Sequence, residues 1–299
     1  MQVSIKEVGI REGIQISKLN PTTTTKLDLL FSLADLNFET IEATSIVRPD
    51  LVPNHSDSSE ILSELSNLSN PEKFTALYLN KRGFEILAKS KLRLEPWIHT
   101  AIEEDFLIKN VGRNFSKEKD YFAEMSLIFK DYGLPFVNIM LSTSFGLKTP
   151  VSFKQFKKRL DSVIKQIPLN IGRVVLADTS GIALPKQVRK FLRKLKTEFE
   201  NVGVHFHDTQ GFGLINCFTA LETGVSYFET SICGLGGCPF VPNASGNVAT
   251  EELIVLLEDE GIKTGFSIEK LREVSRKIYG LFRSECHSKL AKKWFLESS

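Results

Sequence analysis

The feature that most constrains this chain is alternation. Short apolar segments of strand length recur from end to end, and each is followed by a longer stretch with apolar residues at helical spacing. The strand segments are residues 3–8, 40–43, 74–79, 94–99, 136–141, 173–177, 203–207 and 227–231. Leu27, Leu30, Phe31 and Ala34 form one helical stripe. Phe122, Met125, Phe129 and Tyr132 form a second, and Val188, Phe191, Leu192 and Leu195 a third. Pro21 followed by four threonines, and Ser152, mark helix starts. Eight strand–helix units predict an α/β fold of the (β/α)8 TIM-barrel type. A doubly wound sheet would carry a glycine-rich phosphate loop after an early strand. No GxGxxG follows one here, and the GLGG of residues 234–237 comes late. Segments 268–281 and 285–296 read as two further helices. The expectation is one barrel domain over residues 1–299 with a C-terminal helical extension from about residue 266.

Charge narrows the partners. The chain has 38 Lys and Arg against 36 Asp and Glu, a net +2, which gives no electrostatic reason to expect nucleic acid or an anionic membrane. The basic run 154–159 (KQFKKR) reads as a solvated helix face. No stretch of 18 apolar residues occurs, and no apolar leader precedes the first strand, so the expected setting is the cytoplasm. The four cysteines form no CxxC pair. Cys217, in an apolar helical run, and Cys233 read as buried filler. Cys238 differs, because Gly236 and Gly237 before it and Pro239 after it mark a shaped loop. A homo-oligomer is compatible with the sequence.

In a barrel, the C-terminal strand ends share one site, and chemically distinctive residues fall there repeatedly. Strand one runs into Arg11, Glu12 and Gly13, where Gly13 is expected to turn the chain away and leave both charges exposed to the pocket. Strand two passes Glu42, strand four ends near His99, and strand six ends at Asp178. Strand seven ends in His205-Phe206-His207, and the last unit leads through Cys238 to Asn247 and Glu251. Residues i and i+2 of a strand share a face, so His205 and His207 can converge on one ion. Glu12 is the carboxylate candidate for the same ion and Asn247 the amide candidate. This mixed oxygen and imidazole set suits Mg²⁺ or Mn²⁺ and also admits Zn²⁺ or Co²⁺. A guanidinium at Arg11 is placed to stabilise negative charge on a developing enolate oxygen.

Together these motifs resemble the 3-hydroxy-3-methylglutaryl-CoA lyases, within the wider group of metal-dependent TIM-barrel lyases and Claisen-condensing synthases. The resemblance is carried by residues 7–15 (EVGIREGIQ), 41–45 (IEATS), 178–181, 205–211 (HFHDTQG), 234–239 (GLGGCP) and 244–251 (ASGNVATE). It implies a lyase that breaks a carbon–carbon bond of a 3-hydroxyacyl thioester, giving acetoacetate and acetyl-CoA in the parent reaction. It implies metal ligation by Glu12, His205, His207 and Asn247, and enolate stabilisation by Arg11. Cys238 would be the catalytic acid, with Glu42, Asp178 and Glu251 lining or supporting the site. Gln15 and Lys18 carry over from the same first loop as cofactor-binding residues. The lyases usually have Asp where Glu12 stands, whereas Glu resembles condensing relatives such as homocitrate synthases. An acyl-CoA-condensing transferase is therefore the alternative activity, and a metal-binding barrel without catalysis a second one. The C-terminal stretch 283–289 (RSECHSK) is less basic than its lyase counterpart, so a different 3-hydroxyacyl thioester or a non-CoA hydroxy acid also fits.

Overall fold

The computed structural model describes residues 2–237 and 246–297. All eight expected strands are present: β1 Ser4–Glu7, β2 Thr40–Ile46, β3 Phe74–Tyr78, β4 Trp97–Ala101, β5 Phe136–Ser142, β6 Asn170–Asp178, β7 Val202–Phe206 and β8 Tyr227–Thr230. Every pairing is parallel, in the order β3-β2-β1-β8-β7-β6-β5-β4. The helices packed outside cover the strands' outward faces, which is why β2 and β7 are buried along their whole length.

Between these strands run α1 Gly9–Ile16, α2 Thr23–Ala34, α3 Ser58–Ser66, α4 Lys81–Ala88, α5 Glu104–Val111, α6 Glu118–Asp131 and α7 Phe153–Ile164. They are followed by α8 Pro185–Leu195, α9 Gly213–Glu222 and α10 Thr250–Asp259, then α11 Ile268–Phe282 and α12 Lys289–Leu296. The start signals read from the sequence hold. Thr22 accepts from the Thr25 N–H at the head of α2, and Ser152 with Gln155 closes a capping box on α7. The α8 stripe is buried in full. In α2 the buried face is Leu29, Leu30 and Leu33, and Phe31 is exposed, as is Tyr132 at the end of α6.

Three details differ from expectation. β4 starts at Trp97, after Pro96, because the stretch before it turns its backbone toward β3: the Arg93 N–H donates to the Phe74 carbonyl at 2.8 Å. The run 154–159 is not wholly solvated. Phe156 is core, and Arg159 reaches inward to the Glu118 carboxylate at 2.5 Å and to the Ala101 carbonyl at 3.0 Å.

The third difference is the seam. β3 and β4 close the circle without a backbone ladder between them. The Arg93 backbone bond and the Tyr78 side chain bridge the gap instead. The Tyr78 hydroxyl donates to the Glu95 carbonyl at 2.5 Å and accepts from the Trp97 N–H at 2.8 Å. Further along β4, Arg113 donates to the His99 carbonyl at 2.9 Å. These contacts add partners for edge groups of β4, where the Trp97 N–H also reaches the Glu95 carbonyl at 3.0 Å.

Candidate metal centre and its charged wall

β1 ends at Glu7, and α1 begins two residues later. Arg11 and Glu12 therefore stand in the first turns of a helix, not at a strand end. Gly13 does not turn the chain away. It is helical, and a Cβ there would lie 2.8 Å from Leu235 Cβ, so the glycine lets α1 pack against the chain leading into the 234–237 loop.

The two histidines converge as their spacing implies. His205 is the penultimate residue of β7 and His207 follows the strand, and their Nε2 atoms are 3.4 Å apart. Glu12 Oε2 lies 3.8 Å from His205 Nε2. The ligand atoms of Glu12, His205 and His207 all fall within 4.8 Å of one another. Asn247 is held opposite His207 by a short antiparallel bridge, with the Asp208 N–H bonded to the Gly246 carbonyl and the Val248 N–H to the Phe206 carbonyl. The Asn247 amide nitrogen donates to Glu12 Oε2 at 2.6 Å and to the Leu235 carbonyl at 3.0 Å. Its Oδ1 is buried with no hydrogen-bond partner among the described residues. An orphaned amide oxygen is costly; beside two imidazoles and a carboxylate, it is a candidate fourth donor for a divalent cation. The set fits such an ion.

Behind this cluster, His205 Nδ1 meets Glu229 Oε2 of β8 at 3.1 Å, which directs Nε2 toward Glu12 and His207. Glu229 is in turn held by the Tyr227 hydroxyl at 3.2 Å. Burial drives the His205 pKa down, but Glu12 and Glu229 outweigh it, so the net shift is upward.

A line of alternating charges continues from Glu12 into the barrel. Arg11 Nη2 lies 2.9 Å from Glu12 Oε1, and Arg11 Nε lies 2.5 Å from Glu42 Oε2. Glu42 meets Lys6 at 3.3 Å, and Lys6 meets Glu95 at 3.0 Å. Burial pushes the carboxyls of Glu12 and Glu42 up, yet their cationic neighbours win and hold both at about 2. His55 braces the arrangement from behind. Its Nε2 is 3.0 Å from the Arg11 carbonyl and its Nδ1 is 3.1 Å from Thr44 Oγ1. A carbonyl can only accept, so the proton is on Nε2, and burial holds this imidazole neutral with its pKa down at about 4.

One cavity of about 990 Å³ runs along this wall, lined by Arg11, Glu12, Gln15, Glu42, His99, His205 and His207 among others. Gly237 reaches its edge. A Cβ on Gly236 would lie 2.6 Å from the Asn247 amide nitrogen, so only glycine lets the loop pass this close to the cluster. Cys238 follows immediately and lies outside the described residues. Asp178, Glu251 and Lys18 are not part of the cavity wall. Asp178 accepts from the N–H groups of Ile182 and Ala183 and closes the turn after β6, with burial raising its pKa to about 6. Glu251 accepts from the Cys233 N–H at 3.1 Å under the base of the glycine loop. Lys18 is exposed, and its N–H donates to Glu285 at 2.9 Å. Cys217 and Cys233 are buried, as expected.

The HMGL-like family profile matches residues 2–278. The chain belongs to the HMGL-like family. The human mitochondrial hydroxymethylglutaryl-CoA lyase is 33% identical over 293 residues, covering 97% of this chain and 89% of that protein. A Bacillus subtilis hydroxymethylglutaryl-CoA lyase is 31% identical over 281 residues, covering 93% and 92%. Among solved structures, the Bacillus subtilis HMG-CoA lyase superposes with a TM-score of 0.88 at 30% identity and 98% coverage of both chains. An HMG-CoA lyase from Acinetobacter baumannii, in complex with coenzyme A and 3-methylmalate, gives a TM-score of 0.85 at 29% identity, covering 97% of this chain and 94% of that one. The TIM-barrel assignment is confirmed with them. Among the described residues, no helix is long and apolar enough to cross a membrane.

Sequence reasoning missed Lys6, His55, Glu95, Arg113 and Glu229. A glutamate beside two aromatic residues in the strand segment YFET was the available signal for Glu229.

Proposed function

We propose that this protein is a divalent-metal-dependent carbon–carbon lyase that cleaves 3-hydroxy-3-methylglutaryl-CoA to acetoacetate and acetyl-CoA. The observation that carries the reading is the Glu12–His205–His207 cluster with the orphaned Asn247 oxygen beside it, at one end of a cavity whose wall holds Arg11. Glu12, His205, His207 and Asn247 would hold the ion. When bound, a divalent cation, with Mg²⁺ or Mn²⁺ best suited, supplies Lewis acidity toward the substrate's hydroxyl and carbonyl oxygens.

The chain's own residues do the rest. Glu229 and Glu42 fix the His205 ring and the Arg11 fork before substrate arrives. The hydroxyl proton passes to a histidine or carboxylate of the cluster. The carbon–carbon bond then breaks, the hydroxyl carbon becomes a ketone, and the bonding pair becomes a thioester enolate. Arg11, with Nε and Nη2 already held by carboxylates, presents its guanidinium to the enolate oxygen. Cys238 Sγ returns a proton to the enolate carbon.

The test supplies 3-hydroxy-3-methylglutaryl-CoA with Mg²⁺ or Mn²⁺ and follows acetoacetate and acetyl-CoA. Folded, metal-loaded protein that gives no metal-dependent cleavage refutes the proposal. Glu12 favours a second reading, condensation of acetyl-CoA with a 2-oxo acid, which free CoA thiol released from that substrate pair would support.

A further inference from the structure

Four cationic side chains on the cavity wall are accounted for. Lys6 has Glu42 and Glu95, and Arg11 has Glu12 and Glu42. Arg48 pairs with Asp50 at the exposed rim, and Lys109 is exposed to water. Arg113 is different. It is half-buried on the same wall, beyond the end of α5, and no carboxylate of the described residues lies within ion-pair distance. Its guanidinium stacks 3.5 Å over the Tyr121 ring, and one nitrogen donates to the His99 carbonyl. Its Nε is buried and makes no hydrogen bond among the described residues.

A guanidinium drawn out of water without an anion is costly unless a ligand supplies the charge. Its neighbours fix it in place: the Tyr121 face and the His99 carbonyl hold the plane of the fork beside β4, in a cavity shared with the metal cluster. A planar fork held this way matches a carboxylate. Neighbouring His99, held neutral by burial with its pKa down at about 3, adds no competing cation.

We propose that Arg113 receives the distal carboxylate of the acyl group and so selects 3-hydroxyacyl thioesters that end in a carboxylate. This rests on the lyase reading above, and it adds the residue that reads the substrate's far end. A phosphate of the CoA carrier is the other anion such a fork would take, and the experiment separates the two.

Binding, not turnover, is measured, on metal-loaded wild type, Arg113→Gln and Arg113→Lys. The probes are 3-hydroxyglutaryl-CoA, 3-hydroxybutyryl-CoA and free CoA. They differ in the distal carboxylate and share the carrier. Arg113→Gln is expected to weaken 3-hydroxyglutaryl-CoA roughly 10- to 100-fold, with the other two probes unchanged. Arg113→Lys, which keeps the cation but loses the fork, should retain part of the preference for the glutaryl probe. Equal weakening of all three probes overturns the proposal and assigns Arg113 to the carrier phosphates. No weakening of the glutaryl probe in Arg113→Gln overturns it outright. If Arg113→Gln does not fold, Arg113→Lys decides: a preference for the glutaryl probe that matches the wild type's in full overturns the proposal. A wild type that cleaves 3-hydroxy-3-methylglutaryl-CoA while Arg113→Gln binds normally refutes this inference alone, whereas a wild type without cleavage refutes the lyase reading.

Discussion

Glu42 is buried between two cations, and replacing it by Gln removes one charge while keeping its shape. In the folded protein its carboxyl is held at about 2 against an ordinary 4.5, because the stabilisation from Arg11 and Lys6 exceeds the cost of burial. That difference corresponds to about 3 kcal/mol at neutral pH, in line with the 3–5 kcal/mol typical when one partner of a buried pair is removed. Unfolding entropy for 299 residues is about 0.6 kcal/mol/K, so Glu42→Gln should lower Tm by about 5 °C at pH 7. A carboxyl held down in the folded state contributes fully above its unfolded pKa of 4.5 and loses that contribution as the pH falls toward 2. The gap between wild type and Glu42→Gln should therefore narrow, to roughly 60% of its neutral value near pH 3.5. Thermal unfolding followed by circular dichroism at the two pH values checks both parts. A variant as stable as the wild type at pH 7, or a gap that widens on acidification, refutes the claim that Glu42 holds Arg11 and Lys6 in place.

Gly236→Ala puts a Cβ 2.6 Å from the Asn247 amide on a backbone with φ near +109°, so it should displace that amide and weaken Mg²⁺ or Mn²⁺ binding at least tenfold, read by metal titration. Cys238→Ser should remove most lyase turnover and leave metal content intact; loss of metal instead would assign the loop a structural role. Tyr78→Phe removes the phenol's two bonds at the seam, to the Trp97 N–H and the Glu95 carbonyl, which keep each other at 3.0 Å, and should cost about 1 kcal/mol in urea unfolding while leaving metal affinity unchanged.

The strands were legible because burial on both faces leaves short, mainly apolar runs, such as Val174, Val175, Leu176 and Ala177 of β6. The histidine pair was legible because a period of two needs no knowledge of the rest of the fold. Glu12 and Asn247 were legible as donor types, but their approach depends on a close packing of α1 against the glycine loop that Gly13 and Gly236 permit and no local pattern announces. The helical setting of Arg11 was missed because α1 is only eight residues long and opens without a side-chain cap. The interior charge line was invisible for a different reason. Lys6 and Glu95 are 89 residues apart, and each alone looks like an ordinary polar residue. Arg159, in a basic run, was misread as solvated because its partner Glu118 lies on another helix.

The seam between β3 and β4 has a consequence for how the molecule breathes. A barrel laced all round by backbone bonds has no preferred line of opening. Here one line is fastened by the Tyr78 hydroxyl and by a single backbone bond from the Arg93 N–H to the Phe74 carbonyl, and it runs beside the cavity. The Trp97 amide, held by the Tyr78 hydroxyl and the Glu95 carbonyl rather than by a neighbouring strand, should exchange with deuterium ahead of amides in the fully paired β6 and β7.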